Sequence, residues 1–281
     1  MAFTLLKNAA QSLRERLQVK DLENTAPALR HWLQSDFGRY LQVRERRVIE
    51  EHFSQLPGYR LMRVGLTSDP ETLDCFNHIH RFSIHPNELE GAHSALSTFV
   101  ELPLMSETID VLLLQHALEF SRSPKAVLAE ASRVVMPGGH ILLCAFNPYG
   151  PMGMAKFSMQ LCFGHAQYSF HNLRLGRVID WLSLLNFHVM AVEHGAYNVP
   201  LNYPHWIDHD SRWEKVCQKA RLPMANFYMI HAIKRVPRGI INPAKSWQAA
   251  VTGYRVTQGL KHSAERKESS HSLTRHTANE N

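Results

Sequence analysis

Chemistry in this chain concentrates where one apolar run stops. Ile109–Leu114 is nearly continuously hydrophobic, the mark of a strand buried on both faces. It is followed by Gln115, His116 and, three residues on, Glu119. Residues just past the carboxyl end of such a strand border a ligand crevice, so Gln115 and His116 are expected to face it. With the usual imidazole pKa of about 6.5, His116 either positions a nucleophile or serves as a general base; otherwise it caps the loop by hydrogen bonding. A second apolar run, His140–Phe146, leads into Asn147-Pro148-Tyr149. Asn147 and Tyr149 are the candidate substrate contacts, and a turn-capping role for Asn147 is the alternative.

Other chemistry-bearing residues are more scattered. The chain has 18 histidines, and His205 and His209 stand four apart with Asp208 and Asp210 beside them. On a helix that spacing would aim two nitrogens the same way, but no third ligand follows, and His78, His80 and His85 are no better grouped. No metal site is expected. The 4 cysteines, Cys75, Cys144, Cys162 and Cys217, form no C-x-x-C pair and read as reduced and mostly buried.

The elements that must hold these residues alternate. Thr25-Ala-Pro27 reads as a helix start, with Thr25 as N-cap. Phe37–Gln55 carries Tyr40, Leu41, Val48, Ile49 and Phe53 at helical spacing, and Pro57-Gly58 ends it. Strand-like runs follow at Tyr59–Val64, Ile79–Ile84, Ile109–Leu114, His140–Phe146, Phe187–Val192 and Asn226–Ile233. Helices are expected at Pro124–Val134 and Leu173–Leu185, with a turn at Pro137-Gly138-Gly139. Met152–Phe163 is either a mobile apolar cover over a hydrophobic acceptor or a helix packed on the sheet edge. Strands alternating with helices imply an α/β doubly wound sheet with an N-terminal helical lead-in.

With 281 residues, 44% hydrophobic and 20% charged, the chain is neither fibrous nor wholly disordered. Its apolar runs fall far short of the roughly 18 residues a membrane span needs, and the N-terminus carries no secretory pattern, which reads as cytoplasmic. From Lys234 onward nine Lys or Arg face three Glu, and this accounts for the whole formal charge of +6. The expected organisation is a loosely ordered leader over 1–24, a domain over 25–236 and a disordered basic tail over 237–281. That tail either contacts RNA or an acidic surface, or simply keeps the chain solvated.

One segment carries a specific resemblance. Leu102-Pro103-Leu104, Asp110, His116-Ala-Leu-Glu119, Pro124, Leu128, Glu130, Arg133-Val134, Pro137-Gly138-Gly139 and Phe146-Asn147-Pro148 occur in register. Together they resemble the second half of a class I S-adenosylmethionine-dependent methyltransferase of the type 11 group. Trp32, Gly38-Arg39-Tyr40-Leu41 and Pro57-Gly58 upstream, and Arg177, Asp180-Trp181-Leu182, Leu185-Asn186-Phe187 and Ile233-Lys234-Arg235 downstream, are similar to the flanking elements of a bacterial subgroup. The resemblance implies a Rossmann-like seven-stranded sheet and S-adenosylmethionine as cofactor. It further implies Gly65, Leu66 and Thr67 as the cofactor loop, His85 in the ribose region, Thr98 and Phe99 at the adenine, and Gln115 and His116 bordering the reaction centre. The expected activity is methyl transfer to an unidentified, small-molecule acceptor.

The chain departs from that family where the cofactor is normally held. Gly65 is the only glycine in the loop after the first strand, which reduces backbone freedom to approach a ligand. Ser83-Ile84-His85 stands where an acidic residue usually holds the ribose, with Glu88 and Glu90 a few residues on. Thr98 stands in place of an Asp and brings no charge. Each lost hydrogen bond to a charged group costs about 1.5–3 kcal/mol, so three together would carry a micromolar ligand toward millimolar. The rival expectation is therefore a Rossmann-like binding or regulatory protein that no longer catalyses.

Overall fold

The structure, a computed structural model, describes residues 19, 21–66, 69–87, 95–163, 165–200, 212–220 and 222–235. The expected leader before residue 19, the basic tail, His205, His209, Thr67, Glu88 and Glu90 lie outside the described residues.

Two helices lead in, α1 (Leu22–Leu33) and α2 (Asp36–His52). The helix start expected at Thr25 lies earlier: Asp21 occupies the N-cap position, and the Thr25 hydroxyl donates back to the Asp21 carbonyl at 3.3 Å. Ser35 caps α2, its hydroxyl accepting from the Gly38 amide at 3.2 Å. A Cβ at Gly38 would lie 2.5 Å from the Leu33 Cα, so only glycine lets α2 start this close to the end of α1. The buried stripe of α2 runs Phe37, Tyr40, Leu41, Arg44, Glu45, Val48, Ile49, which places two charged side chains inside an apolar face.

The sheet comprises β1 (Arg60–Gly65), β2 (His80–His85), β3 (Ala95–Leu96), β4 (Ile109–Gln115), β5 (Val135–Phe146), β6 (Phe187–Gly195) and β7 (Phe227–Lys234), in the order β3-β2-β1-β4-β5-β7-β6. All neighbouring pairs are parallel except those made by β7, which runs antiparallel to both β5 and β6. Between the strands lie α3 (Pro70–Asp74), α4 (Pro124–Val134), α5 (Pro151–Phe163), α6 (Leu175–Leu184) and α7 (Arg212–Lys219). This is the expected α/β Rossmann-like arrangement. Period-two alternation divides the core. Leu61, Val111, Leu113, Leu142, Cys144 and Phe146 pack with the buried faces of α1 and α2. Met62, Val64, Leu112, Leu114, Ile141 and Leu143 pack with α4 and α6 on the other side.

Two expectations change form. Pro137-Gly138-Gly139 is not a turn before β5 but lies inside it. The register with β4 passes from Ile109↔Val135 to Val111↔His140, so the extra residues bulge out, and Gly138 takes the positive φ of 79° this needs. Met152–Phe163 is helix α5. Met152 is buried, whereas Met154 and Phe157 project into solvent. The two-residue strand β3 and helix α7 had no recognisable sequence pattern. The family-like signature itself is largely scaffold. The Leu102 amide donates to Glu130 Oε1 at 2.7 Å, and Arg133 binds both the Leu102 carbonyl and Glu130. Asp110 accepts from the Arg60 amide at 2.9 Å, tying β4 to the start of β1.

Candidate active site

The carboxyl ends of β1, β4 and β5 converge beneath α2. His116 follows β4 directly and takes a positive φ of 54°, which turns its side chain back over the strand end. Its Nδ1 lies 2.6 Å from Glu119 Oε1 and its Nε2 lies 2.7 Å from Glu45 Oε1. Cys144 Sγ is 3.8 Å from the same Nε2, and the Phe146 ring stacks on the imidazole at 4.2 Å. Gln115 donates through Nε2 to Glu45 Oε2 at 2.7 Å, while Glu119 also accepts the Phe146 amide at 3.0 Å. Glu45 is 2% exposed, His116 5%, and Glu119 and Cys144 0%.

Burial by itself would disfavour a charged imidazole here. Glu45 foremost, together with Cys144 and Glu119, reverses that and raises the His116 pKa well above its ordinary value. An imidazolium donating from both nitrogens to two carboxylates fits the geometry. It also means that neither nitrogen is available to take a proton from an acceptor, so the general-base role has no lone pair to use in this arrangement. Burial pushes the Cys144 thiol up to about 12. Glu45 was missed in the sequence. Its signal was a carboxylate four residues after Leu41 and three before Val48, inside an apolar helical stripe.

The residues expected around a cofactor sit at the neighbouring strand ends. The Gly65 carbonyl accepts from His85 at 3.1 Å, which assigns the proton to Nδ1 and leaves Nε2 as a buried acceptor with no partner among the described residues. Burial foremost, with Arg63 and Arg30 nearby, lowers the His85 pKa to about 4, so the ring is neutral at pH 7. Leu66 is buried, and its carbonyl accepts from Arg30 Nε at 2.9 Å; Arg30 also reaches the Asn87 carbonyl at 3.4 Å. Thus α1 is fastened across the ends of β1 and β2. Helix α3, in the crossover from β1 to β2, has only 5 residues. Phe99 is buried and Thr98 exposed beyond β3.

Past β5, both ends of the Asn147 side chain are engaged. Its Nδ2 donates to the Pro223 carbonyl at 2.7 Å and its Oδ1 accepts the Tyr149 amide at 3.1 Å, the turn-capping arrangement. Tyr149 is exposed, with the Arg174 guanidinium 5.9 Å from its ring centroid. The sheet therefore gathers Gln115, His116, Glu45, Glu119 and Cys144 into one cluster, with Gly65, Leu66 and His85 next to it. Asn147 caps its turn, and Tyr149 stands exposed just past the end of β5.

Comparison with known proteins agrees with the fold. Residues 64–143 match the methyltransferase domain family of type 11. A S-adenosylmethionine-dependent methyltransferase from Thermotoga maritima, a candidate histamine N-methyltransferase, superposes with a TM-score of 0.58 at 15% identity, covering 76% of this chain and 98% of that one. A chain from the complex between the Haloferax volcanii Trm112 methyltransferase activator and its methyltransferase partner gives 0.51 at 12% identity, covering 72% and 96%. The uncharacterized protein YafS of Escherichia coli (strain K12) is 27% identical over 159 residues, 57% of this chain and 65% of its own length. The match thus spans just under two thirds of that relative. The resemblance to class I S-adenosylmethionine-dependent methyltransferases of the type 11 group is borne out, as is the fold it implied.

Proposed function

We propose that this chain, built on a class I methyltransferase fold, binds S-adenosylmethionine across the carboxyl ends of β1, β2 and β4 and transfers its methyl group to a small-molecule acceptor. The observation that carries the reading is that the family match, 64–143, begins at the end of β1 and contains β2, β4 and the His116–Glu119 turn. The local chemistry fits the cofactor at one point above all: His85 Nε2 is a buried acceptor without a partner at the end of β2. A ribose hydroxyl could donate to it where other members of the fold use a carboxylate. In this reading Gly65, Leu66 and Thr67 form the loop beside the amino-acid part. Thr98 and Phe99 flank the adenine, and Gln115 lies near the reacting end.

The cofactor, when bound, supplies an electrophilic methyl on a sulfonium. The protein's part is alignment and exclusion of water, since a basic acceptor needs no proton removed in advance. His116, held from both sides, is a positioning residue that fixes the end of β4. Tyr149 lies on the acceptor side.

One observation favours a second reading, a Rossmann-like protein without catalysis. Arg30 already occupies the Leu66 carbonyl and pins α1 over the strand ends where the cofactor would lie. Thermal unfolding with S-adenosylmethionine separates the two for the wild type, Gly65→Val and Arg30→Ala. A ligand present at 100 times its Kd adds about 2.7 kcal/mol of stability. The methyltransferase reading expects such a rise in the wild type, lost in Gly65→Val. A rise in Arg30→Ala alone indicates a site closed by α1, and no rise in any of the three leaves the non-catalytic reading.

A further inference from the structure

Three side chains of the His116 cluster have a property that neither methyl transfer nor cofactor binding uses. Glu45 of α2, His116 after β4 and Cys144 of β5 each offer one donor atom, and these atoms all lie within 4.8 Å of one another. Glu45 and Cys144 stand 71 and 28 positions from His116, so only the tertiary fold assembles them, and no sequence spacing announced a metal site.

The surroundings are those of an oriented ligand set. Metal-bound histidines characteristically donate their second nitrogen to a carboxylate, which fixes the ring and raises its basicity. Here His116 Nδ1 is held by Glu119 Oε1 at 2.6 Å, leaving Nε2 turned toward Glu45 and Cys144. Glu45 is steadied on its other oxygen by Gln115, and the Phe146 ring fixes the imidazole plane. Two further oxygens in this shell, Gln115 Oε1 and Glu119 Oε2, are buried without a hydrogen-bond partner among the described residues.

The nitrogen–sulfur distance also suits a cation. Metal–nitrogen bonds of about 2.0–2.1 Å and metal–sulfur bonds of about 2.3 Å in a tetrahedral site set the N···S separation at roughly 3.6 Å. Cys144 Sγ and His116 Nε2 are 3.8 Å apart. The contact from Nε2 to Glu45 Oε1 is 2.7 Å, the length of a hydrogen bond that the imidazolium form donates. A metal in the proton's place needs that gap to open by roughly half an ångström, within reach of a glutamate rotamer adjustment.

We propose that Glu45, His116 and Cys144 form a binding site for a divalent transition-metal cation of borderline softness, with Zn2+ as the representative ion. One sulfur, one imidazole nitrogen and one carboxylate oxygen select that class over Mg2+ or Ca2+, which take oxygen ligands. Three protein donors leave a fourth position for water or an exogenous ligand. The proposal departs from the sequence expectation of no metal site. The proposal does not depend on the methyltransferase reading.

The test is titration of chelator-treated full-length protein with Co2+, followed by absorbance and by metal stoichiometry. The site predicts one equivalent of Co2+ with a near-ultraviolet thiolate-to-metal charge-transfer band and intense tetrahedral ligand-field bands, both removed by Zn2+. Cys144→Ser and Cys144→Ala should each abolish the charge-transfer band, and Cys217→Ser should keep it. Glu119→Gln, which leaves all three ligands in place, should weaken binding roughly 10–100-fold. Co2+ taken up without a thiolate band, as by histidines elsewhere in the chain, overturns the proposal. So does a band that survives in both Cys144 variants, or no stoichiometric metal at all.

Discussion

His116 is the residue on which most of the site's energetics turn, because it stands between two buried carboxylates. Removing it leaves Glu45 and Glu119 facing each other with no cation between them. Breaking a buried charge pair in this way costs about 3–5 kcal/mol. His116→Ala is accordingly expected to lower the urea midpoint strongly, whereas substituting exposed His188 should hardly move it; equal effects would refute the central placement of His116. Two other histidines govern behaviour in acid. Burial lowers His85 to about 4, and burial with neighbouring His140 lowers His231 to about 4. In the unfolded chain both titrate near 6.5, so the unfolded state binds more protons below that value. Their contribution to stability is therefore complete above about pH 6.5 and is lost as pH falls toward 4. Thermal unfolding between pH 7 and 4 should show Tm falling, with a shallower fall in His231→Phe; a Tm independent of pH across that window would contradict the buried neutral rings.

At the scale of elements, the strands with two buried faces were legible because their apolar runs are short and bounded by turn residues. Ile109–Leu114 and His140–Phe146 correspond to β4 and to the part of β5 that follows its bulge. Boundaries slipped where local chemistry competed. Thr25 reads as a cap, yet its hydroxyl is satisfied inside the helix, and Pro137-Gly138-Gly139 reads as a turn although β5 absorbs it as a bulge. Gly138→Ala places a Cβ in the left-handed region with no steric neighbour, so backbone strain of about 1–2 kcal/mol is expected in chemical denaturation. The site was half legible. Gln115 ends a strand and His116 and Glu119 follow it, so their place could be read. The apolar stripe around Glu45 marks it as buried, but no local pattern shows which strand end its helix covers. The lock holding that helix was equally hidden. Tyr40 donates to Glu214 Oε2 at 2.5 Å, and Arg44 lies 3.2 Å from Glu214 Oε1, all three buried. Glu214→Ala, by leaving Arg44 buried and unpaired, should cost about 3–5 kcal/mol and loosen α2, while Tyr40→Phe should cost about 1 kcal/mol.

At the scale of the whole molecule, the order β3-β2-β1-β4-β5-β7-β6 with antiparallel β7 ties this chain to the methyltransferase fold more firmly than any single residue does. Fold does not fix activity, and the strand ends are built differently here. A short α3, a lone glycine and Arg30 on the Leu66 carbonyl replace the usual loop, while α2 brings a carboxylate to the end of β4. Among the described residues no helix is long and apolar enough to cross a membrane. These strand ends are proposed still to hold the cofactor. Calorimetric titration of the full-length protein with S-adenosylmethionine and S-adenosylhomocysteine tests that most directly. One site per chain in the micromolar range for both ligands, weakened at least tenfold by His85→Leu, is the predicted result. Absence of heat with either ligand at millimolar concentration, in the wild type and in Arg30→Ala alike, would contradict it.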